Sequence, residues 1–574
     1  MLNIAFQVAT PDYNTVLASV VLVAAALALP VSFILTWLYR RAVFKYMRGR
    51  AHPPAAHSPR PLSPVAPPQP VPALPEIAVM SHSSIIRADG EAAGLQAEAL
   101  WAPWRTAAIY VAAGCGYALV MALTRLAIPP AKGFHPVVML LLLVVFAWPA
   151  VLTVNLVAAT NTRARIMTVF VYLALLAAAS AAASTVPGLQ FTPDSVASGW
   201  FAANVPASLL LLTFLSRRVR AVGPLVLIFM LVVVAGLHLV TFPLVMMSDD
   251  DAWFHSIVGV GAAVGLDEDV TYFGLAAAGF LATFPIGWLG LRWLGKRYER
   301  KKMSDQSMIV DAVWLMYGMV QLLLMYRPEA AWAPLSGLVA FAAYKLIARA
   351  GFALLGHRHG ATRKGTRLLV LRVFALGKRS ERLFGALAKH WRHVGSIQLI
   401  AGYDLATETV EPHKFLDFLS RKLARRFIDG TLALELSVAE LDAAPDHDGR
   451  YRVNDFFCRE DTWKMVLSRL VSESDVVLMD LRGFTEQNDG CVFEIEELIN
   501  LVPLGRVKFI VDGTTDEQFL RWVVQRSWCE MRRASPNHGP ALPRLGLFRL
   551  TGSRPGELRQ LLRALCVAAK TACG

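Results

Sequence analysis

The sequence predicts two parts of different fold class: an α-helical multi-pass membrane domain of about nine transmembrane helices, then a C-terminal α/β domain with a parallel sheet. The first observation is composition, since 55% of the 574 residues are hydrophobic, only 17% are charged and the mean hydropathy is +0.45. Soluble proteins carry roughly 25% charged residues, so a disordered, collagen-like or wholly soluble chain is excluded. The second observation is that residues 1–356 hold 24 Lys and Arg and 16 Asp and Glu, whereas residues 357–574 hold 33 and 27. The second part is thus far more charged per residue, as expected of a domain that faces water.

Apolar runs long enough to cross a bilayer recur through the first 356 residues. A membrane-spanning helix needs about 20 predominantly apolar residues. Nine runs meet or approach that length, and they are Val16–Tyr39, Thr106–Ile128, Val137–Ala159, Met167–Val186, Trp200–Leu215, Val222–Met247, Val270–Leu294, Met308–Met325 and Trp332–Leu355. The fifth run is short, and its separation from the sixth depends on Arg217, Arg218 and Arg220, which are costly to place in hydrocarbon.

Basic residues in the loops predict the orientation of these runs, because loops rich in Lys and Arg stay on the cytoplasmic side. Such residues follow every odd-numbered run, as Arg40 and Arg41 do after the first and Lys296 and Arg297 do after the seventh. The N-terminus is therefore predicted outside and the C-terminal domain in the cytoplasm. A signal peptide is the alternative for the first run, but residues 1–14 contain no Lys or Arg and the run is long, so an uncleaved anchor is favoured.

The chain divides into four predicted segments. Residues 1–50 form an N-terminal transmembrane anchor, 51–104 a proline-rich disordered cytoplasmic linker, 105–356 the multi-pass domain and 357–574 the cytoplasmic α/β domain. The linker prediction rests on His52–Pro75, where frequent proline favours an extended chain. A polyproline ligand for a partner is the alternative to a simple spacer.

Three ionisable residues lie inside the last two apolar runs. Asp311 is near the inner end of the eighth run, and Lys345 and Arg349 lie one turn apart in the ninth. Charges at such positions pair with one another or serve transport. We favour an ion pair between Asp311 and Arg349, with Lys345 extending to the cytoplasmic face, and a transport role is the alternative.

Past residue 355, short β-rich runs alternate with amphipathic stretches. Strands are predicted at Leu368–Phe374, Ile397–Ala401, Asp475–Leu481, Val507–Asp512 and Leu545–Leu550, and Thr431–Leu436 is a candidate for one more. Helices are predicted at Ser380–His393, Pro412–Ile428, Glu460–Val471, Val492–Leu501, Asp516–Met531 and Pro555–Ala569. This alternation predicts a parallel sheet with helices on both faces.

The candidate site lies where the predicted strands end, because parallel sheets bind ligands beyond the carboxyl ends of their strands. Asp480, Arg482 and Gly483 follow one buried strand, and Asp512 ends the next; these four are the predicted nucleotide-binding residues. Glu494 lies in the first turn of the following helix, where the positive helix end favours the ionised carboxylate. For the two aspartates, capping or pairing with loop backbone is an equal alternative.

Several neighbouring residues have simpler interpretations. Glu496 and Glu497 continue the same helix and are predicted to be solvated, and Cys491 is predicted to be a small buried residue. The chain has no phosphate-binding loop of the G-x-x-x-x-G-K-[ST] type and no G-x-G-x-x-G. Its six cysteines form no C-x-x-C pair, so neither a metal site nor a disulfide framework is predicted, and no nucleic-acid partner is expected.

The segment Ser472–Leu498 resembles the middle of a TIR-type or nucleoside-deoxyribosyltransferase-like domain. In those domains a strand that begins Ser-x-x-Val/Ile-Val leads to a Cys-x-x-Glu helix start, which here is Cys491–Glu494. The resemblance implies a flavodoxin/TIR-like sheet, with Glu494 as the catalytic carboxylate that cleaves the nicotinamide–ribose bond of NAD, or else signalling by self-association. The chain departs from the family at Gly490, where an aromatic residue is usual, and at Arg372-Val373-Phe374, where the family has Ser-Tyr.

The strings FFCREDTW and LMDLRGF also resemble uncharacterised bacterial multi-pass membrane proteins, which implies no activity. Together these features predict an inner-membrane protein that acts in signalling or defence, with NAD as a candidate substrate rather than a bound cofactor. The bilayer, a small nucleotide and a second copy joined through the cytoplasmic domain are its expected partners. The alternatives are a non-catalytic membrane-tethered interaction or sensor module, and a transporter or channel with a regulatory domain.

The loop charges generate a direct test of topology. Reporter fusions at Met1 and at Gly574 should respond on opposite sides of the membrane, because an odd number of predicted spans separates them. Protease accessibility in sealed vesicles provides the control. Finding both termini in one compartment would remove the odd number of spans.

Overall fold

A computed structural model describes most of the chain. The described residues are 13–47, 76–79, 90–128, 134–159, 161–187, 192–214, 222–246, 259–325, 330, 332–333, 335–358, 365–372, 378–401, 412–459, 462–538, 544–550 and 555–571. The chain forms two compact units. The helical unit comprises Met1–Tyr39, Thr106–Leu355 and Val410–Leu419, and the α/β unit comprises Arg40–Arg105, Gly356–Thr409 and Ser420–Gly574.

The first 358 residues fold mainly into helices that match the predicted apolar runs. They are α1 (Tyr13–Met47), α2 (Gly90–Ala127), α3 (Pro136–Phe146), α4 (Trp148–Val157), α5 (Thr162–Ser184), α6 (Pro193–Phe214), α7 (Gly223–Met246), α8 (Glu268–Glu299), α9 (Asp305–Leu324) and α10 (Leu335–Arg358). Among the described residues, six helices are long and apolar enough to cross a membrane, and these are α1, α2, α5, α6, α8 and α10. The chain is therefore a multi-pass membrane protein by the length and composition of its helices.

The predicted count of nine spans is not confirmed, for two physical reasons. The run Val137–Ala159 is two helices, α3 and α4, bent by 43° at their junction, and they make a seventh span when counted as one. Pro149 stands in the first turn of α4, where its ring and missing N–H break the preceding ladder. In addition, α9 carries Asp311 and Gln321 and is not among the six candidate spans. In α7 the apolar helix Gly223–Gly236 is shorter than a span.

Hydrogen bonds between aromatic and small polar side chains connect the helices of this unit. Trp148 Nε1 on α4 donates to Ser208 Oγ on α6 at 2.8 Å, and Tyr117 OH on α2 donates to Gln321 Oε1 on α9 at 2.9 Å. These side chains are buried. Because lipid tails offer no hydrogen-bond partners, polar groups in such bundles bond across helices. The polar residues of α9 are thus part of the core.

The ion pair predicted in the last two runs forms with a different base. Lys345 Nζ on α10 lies 2.5 Å from Asp311 Oδ2 on α9, and Tyr344 OH donates to Asp311 Oδ1 at 3.4 Å. The predicted partner Arg349 lies one turn further along α10 and is exposed. The prediction that Asp311 forms an ion pair is confirmed. The predicted base, Arg349, is wrong, because the rotation of α10 turns Lys345 toward α9.

The α/β unit contains an eight-stranded, all-parallel sheet. Its strands are β1 (Glu76–Val79), β2 (Leu368–Arg372), β3 (Ile397–Ala401), β4 (Phe427–Ile428), β5 (Val453–Cys458), β6 (Val476–Asp480), β7 (Val507–Val511) and β8 (Arg544–Arg549), in the order β1-β8-β7-β6-β2-β3-β5-β4. The further helices are α11 (Lys378–Trp391), α12 (Pro412–Leu419), α13 (Thr431–Ala439), α14 (Trp463–Glu473), α15 (Asp489–Leu501), α16 (Glu517–Cys529) and α17 (Pro555–Thr571). The segment α12 belongs to the helical unit.

Each face of the sheet is covered by its own apolar core. One core includes Leu467 of α14, Leu498 of α15 and Val523 of α16. The other includes Leu387 of α11 and Leu565 of α17. The strands β6 and β7 are buried along their whole length, as strands covered on both faces must be. The predicted parallel sheet with helices on both faces is therefore confirmed.

Three local predictions differ from the structure. Thr431–Leu436 lies in helix α13, because an apolar run of this length does not distinguish strand from helix. The predicted helix Pro412–Ile428 ends at Leu419, and after Arg421, whose φ is +58°, the chain forms a 3₁₀ turn and then β4. The strand β5 lies in a stretch for which no strand was predicted, since its first half is only partly buried.

The segment 51–104, predicted to be a linker, contributes to the α/β unit. Its residues Glu76–Val79 form β1, which pairs in parallel with β8. Leu95 and Ala99 at the start of α2 lie in the core beside α11 and α17. A strand at this position covers the open N–H and C=O groups of the β8 edge. The proline-rich residues 51–75 lie outside the described part of the chain.

The strand order defines where a ligand would bind. The strands β3-β2-β6-β7-β8 occur in the spatial order 2-1-3-4-5, so the chain reverses its direction of travel across the sheet between β2 and β6. Such a switch point opens a crevice at the carboxyl ends of the two strands. Arg372 at the end of β2 is in register with Asp480 at the end of β6. The candidate site is therefore at this edge.

The pair in α9 and α10 generates a stability prediction. Replacing Lys345 by Met leaves the Asp311 carboxylate, 7% exposed, without its cation. Because the Lys345 side chain is 41% exposed, the loss should be about 1–3 kcal/mol, below that for a fully buried pair. Thermal unfolding of the full chain in detergent measures it, with Arg349→Met as the control, expected to cost under about 0.5 kcal/mol. Equal losses in the two variants would contradict the assignment.

Candidate functional site

The end of β6 is built around the Asp480 carboxylate, which is 4% exposed. Arg482 donates from Nε to Oδ1 at 2.8 Å and from Nη2 to Oδ2 at 2.7 Å. Ser380 Oγ, in the first turn of α11, donates to Oδ2 at 2.8 Å. Two parallel bonds between a guanidinium and a carboxylate form a strong, directional ion pair. The Ser380 bond joins the end of β6 to the helix after β2, across the switch point.

The guanidinium of Arg482 is therefore already occupied by a protein carboxylate. Its side chain is largely buried, and burial lowers its pKa while Asp480 and Asp512 raise it, with a net shift above the usual range. The arginine thus stays charged and bound to its neighbour. A phosphate would have to compete with Asp480 for the same N–H groups. A nucleotide-binding role for Asp480 and Arg482 stays a prediction.

Gly483 allows the tight turn that returns the chain from β6. Its φ is +72°, a left-handed conformation that side chains other than glycine disfavour. The next residue, Phe484, donates its N–H to Leu481 O, and its buried ring stacks on Phe519 with centroids 5.4 Å apart. The conformation of Gly483 therefore gives it a role in loop shape, and direct contact with a nucleotide stays a prediction.

Asp512 organises the loop after β7. Its Oδ1 accepts from the Thr514 N–H at 2.9 Å and from the Thr514 hydroxyl at 2.5 Å. Thr515 Oγ1 donates to Leu481 O at 3.0 Å, which connects this loop to the one after β6. Asp512 is half-buried and close enough to Arg482 to raise its pKa. The structure thus places Asp480, Arg482 and Asp512 at the same edge of the sheet, with Asp512 within electrostatic range of Arg482.

Glu494, on the helix after β6, is a buried carboxyl with an oxygen that is unpartnered among the residues described. It is 3% exposed, and its Oε2 has no hydrogen-bond partner within the described residues. Burial raises the pKa of the carboxyl to about 8. The predicted ionised state is therefore wrong at neutral pH, because a rise from 4.5 to about 8 is roughly 5 kcal/mol, whereas the helix dipole supplies about 0.3–1 kcal/mol.

Cys491 lies one turn before Glu494 and is close enough to both Glu494 and Asp480 for each carboxyl group to affect its pKa. It is 2% exposed, and burial, then Glu494, then Asp480 raise the pKa of its thiol. The thiol stays protonated, so it is a poor nucleophile. This agrees with the predicted role of a small buried residue. Because Cys491 interacts with both Glu494 and Asp480, Glu494 lies near the end of β6.

Glu497 was predicted to be solvated, and the structure contradicts this. Its side chain is buried, accepting from Arg532 Nη2 at 2.6 Å and from Ser468 Oγ at 2.7 Å. These bonds join α15 to α14 and to the segment after α16. Glu497 lies three residues after Glu494, a spacing that places both on one face of a helix. That spacing is the signal that could have identified it as buried.

Ser380 is the site residue that the sequence reasoning did not single out. It lies in the first turn of α11, the helix that follows β2. A ligand at the switch point would lie near the helices that follow both β2 and β6. The sequence prediction named residues only in the helix after β6. For metals, the described residues contain no group of three or more His, Cys, Asp or Glu placed to share an ion.

The state of Glu494 generates a prediction of pH dependence. Between about pH 4.5 and pH 8 the unfolded chain releases this proton and the folded chain keeps it, so folding stability falls as the pH rises. Glu494→Gln removes the titration, and the stability of the variant relative to wild type should rise by about 1.4 kcal/mol per pH unit in that window. Thermal unfolding of the full chain in nanodiscs at several pH values measures the difference.

The control for this titration is Glu496→Gln, on the same helix and half-buried. This variant keeps Glu494, so its stability should fall with rising pH as that of the wild type does. A wild type and a Glu494→Gln variant with parallel pH profiles would show that Glu494 is not a buried neutral acid.

The segment on which the family resemblance depends forms one strand, the loop after it and the following helix. Ser472–Leu498 includes the end of α14, all of β6, the loop with Arg482 and Gly483, and most of α15. Cys491 and Glu494 lie in the first two turns of that helix. No protein-family model matches the chain, and no curated protein or solved structure matches it.

Proposed function

We propose that this is a membrane signalling protein whose α/β unit binds a small nucleotide, such as NAD, at the edge between β2 and β6. The observation that carries the proposal is Glu494, a buried carboxyl with an oxygen that has no partner among the described residues. Leaving a buried polar group unsatisfied costs about 1–3 kcal/mol. Such groups are retained where a ligand or an ordered water completes them. A ligand at this edge would supply the missing partner.

The order of the central strands supports the kind of ligand. The order 2-1-3-4-5 is that of flavodoxin-like sheets, which bind a nucleotide at the same switch point. The segment Ser472–Leu498 resembles TIR-type domains, in which the helix start carries a glutamate that acts on NAD. In this chain that position is Glu494. The proposal therefore places a TIR-like NAD-binding or NAD-cleaving activity in the α/β unit.

The chemistry requires Glu494 to change its protonation state. An ionised carboxylate would stabilise the positive charge that develops on the ribose as nicotinamide departs. Burial raises the pKa of the Glu494 carboxyl to about 8. A cationic nicotinamide ring near the carboxyl would favour its ionised form. Ligand binding would thus prepare the carboxylate, and release of the proton would accompany binding near neutral pH.

A non-catalytic sensor or interaction module is the second candidate, and the segment α12 favours it. This helix lies in sequence between β3 and β4, yet it packs in the helical unit. Phe415 is fully buried there, and the Phe418 ring contacts Tyr39 of α1 with centroids 5.7 Å apart. Leu416 lies close over Gly295 of α8, where a Cβ would approach its Cδ1 to 2.9 Å. A rearrangement of α1 and α8 would therefore move chain that is covalently continuous with the sheet.

The test compares Glu494→Gln with Glu496→Gln in the full chain in nanodiscs. If the activity is NAD cleavage, Glu494→Gln should lower turnover by roughly two to three orders of magnitude, the loss typical of one transition-state electrostatic group. Glu496→Gln should leave turnover within about twofold of wild type, because it removes no group at the switch point. Nicotinamide release and NAD affinity by calorimetry are the two readouts.

Glu497→Gln serves as a second comparison, because it breaks the ion pair with Arg532 one turn further along α15 and leaves Glu494 in place. It should lower thermal stability and leave NAD affinity per folded molecule unchanged. A wild-type protein that neither binds nor cleaves NAD, at normal stability, would contradict the nucleotide proposal and favour the sensor module.

A further inference from the structure

A cation at the carboxyl end of β5 differs from the other arginines at this edge of the sheet. Arg459 is the residue that follows β5, and it is half-buried. Its Nε atom is buried and has no hydrogen-bond partner among the described residues. By contrast, Arg482 after β6 pairs with Asp480, and Arg549 at the end of β8 pairs with Glu517. Buried donors without a protein partner are retained where a ligand or an ordered water completes them.

The register of the sheet relates Arg459 to the candidate site. Parallel pairing leads from Asp480 in β6 to Arg372 in β2, and through β3 to Phe457 in β5. Arg459 is two residues beyond that level, toward the carboxyl edge. Neighbouring strands lie about 4.8 Å apart, so the steps from β6 through β2 and β3 to β5 amount to about 14 Å. A ligand that spans this distance is longer than a single base or sugar.

The first turn of α14 connects the Arg459 loop to the helix that carries Glu494. Trp463 begins α14, and a Cβ placed on Gly490 of α15 would lie 3.9 Å from its Cη2 atom. The Trp463 ring also contacts Phe493 edge-on, with centroids 5.6 Å apart. Since Trp463 is four residues after Arg459, the loop with Arg459 is held beside the start of α15.

The N-terminus of α14 adds a second feature that favours an anion in this loop. Thr462 occupies the N-cap position, but its side chain makes no capping bond to the helix. Its hydroxyl instead donates to Ile428 O at 2.9 Å and accepts from the Arg459 N–H at 3.1 Å. The positive end of the helix therefore lies in the same loop as the Arg459 guanidinium. Phosphate oxygens bind both kinds of group, since each supplies N–H donors beside positive charge.

We propose that Arg459 binds the phosphate groups of a nucleotide whose ribose lies beside Glu494, and that the ligand is therefore a dinucleotide. This inference rests on the proposed function, because it takes Glu494 to mark the ribose end. Arg482 is the poorer phosphate ligand, because Asp480 already binds its guanidinium through two hydrogen bonds. The length of a dinucleotide suits the separation between β6 and β5, part of which the arginine side chain itself covers.

The test measures the binding of two probes to the full chain in nanodiscs by calorimetry. NAD carries a pyrophosphate, and nicotinamide riboside has the same nicotinamide and ribose without phosphate. Arg459→Gln should weaken NAD binding about tenfold to a hundredfold, the range for a hydrogen bond to a charged group, and leave nicotinamide riboside binding within about twofold. Arg459→Lys keeps the charge but loses the bidentate geometry, so its NAD affinity should lie between. The matched control is Arg526→Gln, an exposed arginine paired with Glu530, and both affinities should stay within about twofold of wild type.

The outcomes separate this inference from the proposed function. A wild type that binds neither probe would contradict the proposed function, and this inference with it. A wild type that binds both probes, with Arg459→Gln weakening both equally or neither, would overturn the phosphate role alone. Thermal unfolding of each variant is the folding control. A loss of stability in Arg459→Gln with unchanged NAD affinity would show that Arg459 instead pairs with an acid of its own chain, such as the neighbouring Glu460 or Asp461.

Discussion

The buried pair between Asp480 and Arg482 determines the chemistry available at the edge of the sheet. Removing two charges from water is unfavourable unless their hydrogen bonds are satisfied. Here two bonds join the guanidinium to the carboxylate, and Ser380 adds a third from the helix after the neighbouring strand. The Ser380 bond depends on β2 and β6 being adjacent, because Ser380 lies at the start of the helix that follows β2. Losing either partner would leave a buried charge uncompensated and cost about 3–5 kcal/mol.

Two carboxyl groups near this edge are stabilised in different ways. Asp480 accepts hydrogen bonds from Arg482 and Ser380, whereas burial raises the pKa of the Glu494 carboxyl, whose Oε2 has no partner among the described residues. Different environments for neighbouring acids are the usual way in which one site obtains both a fixed charge and a proton that can move. The fixed charge holds the loop, and the movable proton is the group that a ligand would influence.

The sequence predicted the elements whose signal is local. The buried strands β3, β6 and β7 were found because their apolar runs end at polar loops, and Asp480, Arg482 and Asp512 lie at the same edge of the sheet. The strand β1 was not found, because four residues carry little pattern and their partner β8 lies more than 450 residues away. The bend before α4 was missed because hydropathy alone does not register Pro149. Lys345 rather than Arg349 binds Asp311 because helix rotation is fixed by packing, and hydropathy does not determine it.

The pairing of β1 with β8 fixes the parity of the membrane crossings. Strands of one sheet lie on the same side of the bilayer, so the chain between Val79 and Arg544 must cross an even number of times. Five of the six candidate spans follow β1, and the bent pair α3 and α4 brings the number to six. If the bent pair α3 and α4 crosses the membrane, the number of crossings is already even. The helices α7 and α9 must then either both cross or both stay on one side. Insertion of one without the other would leave β1 and β8 separated by the membrane, and the sheet could not be completed.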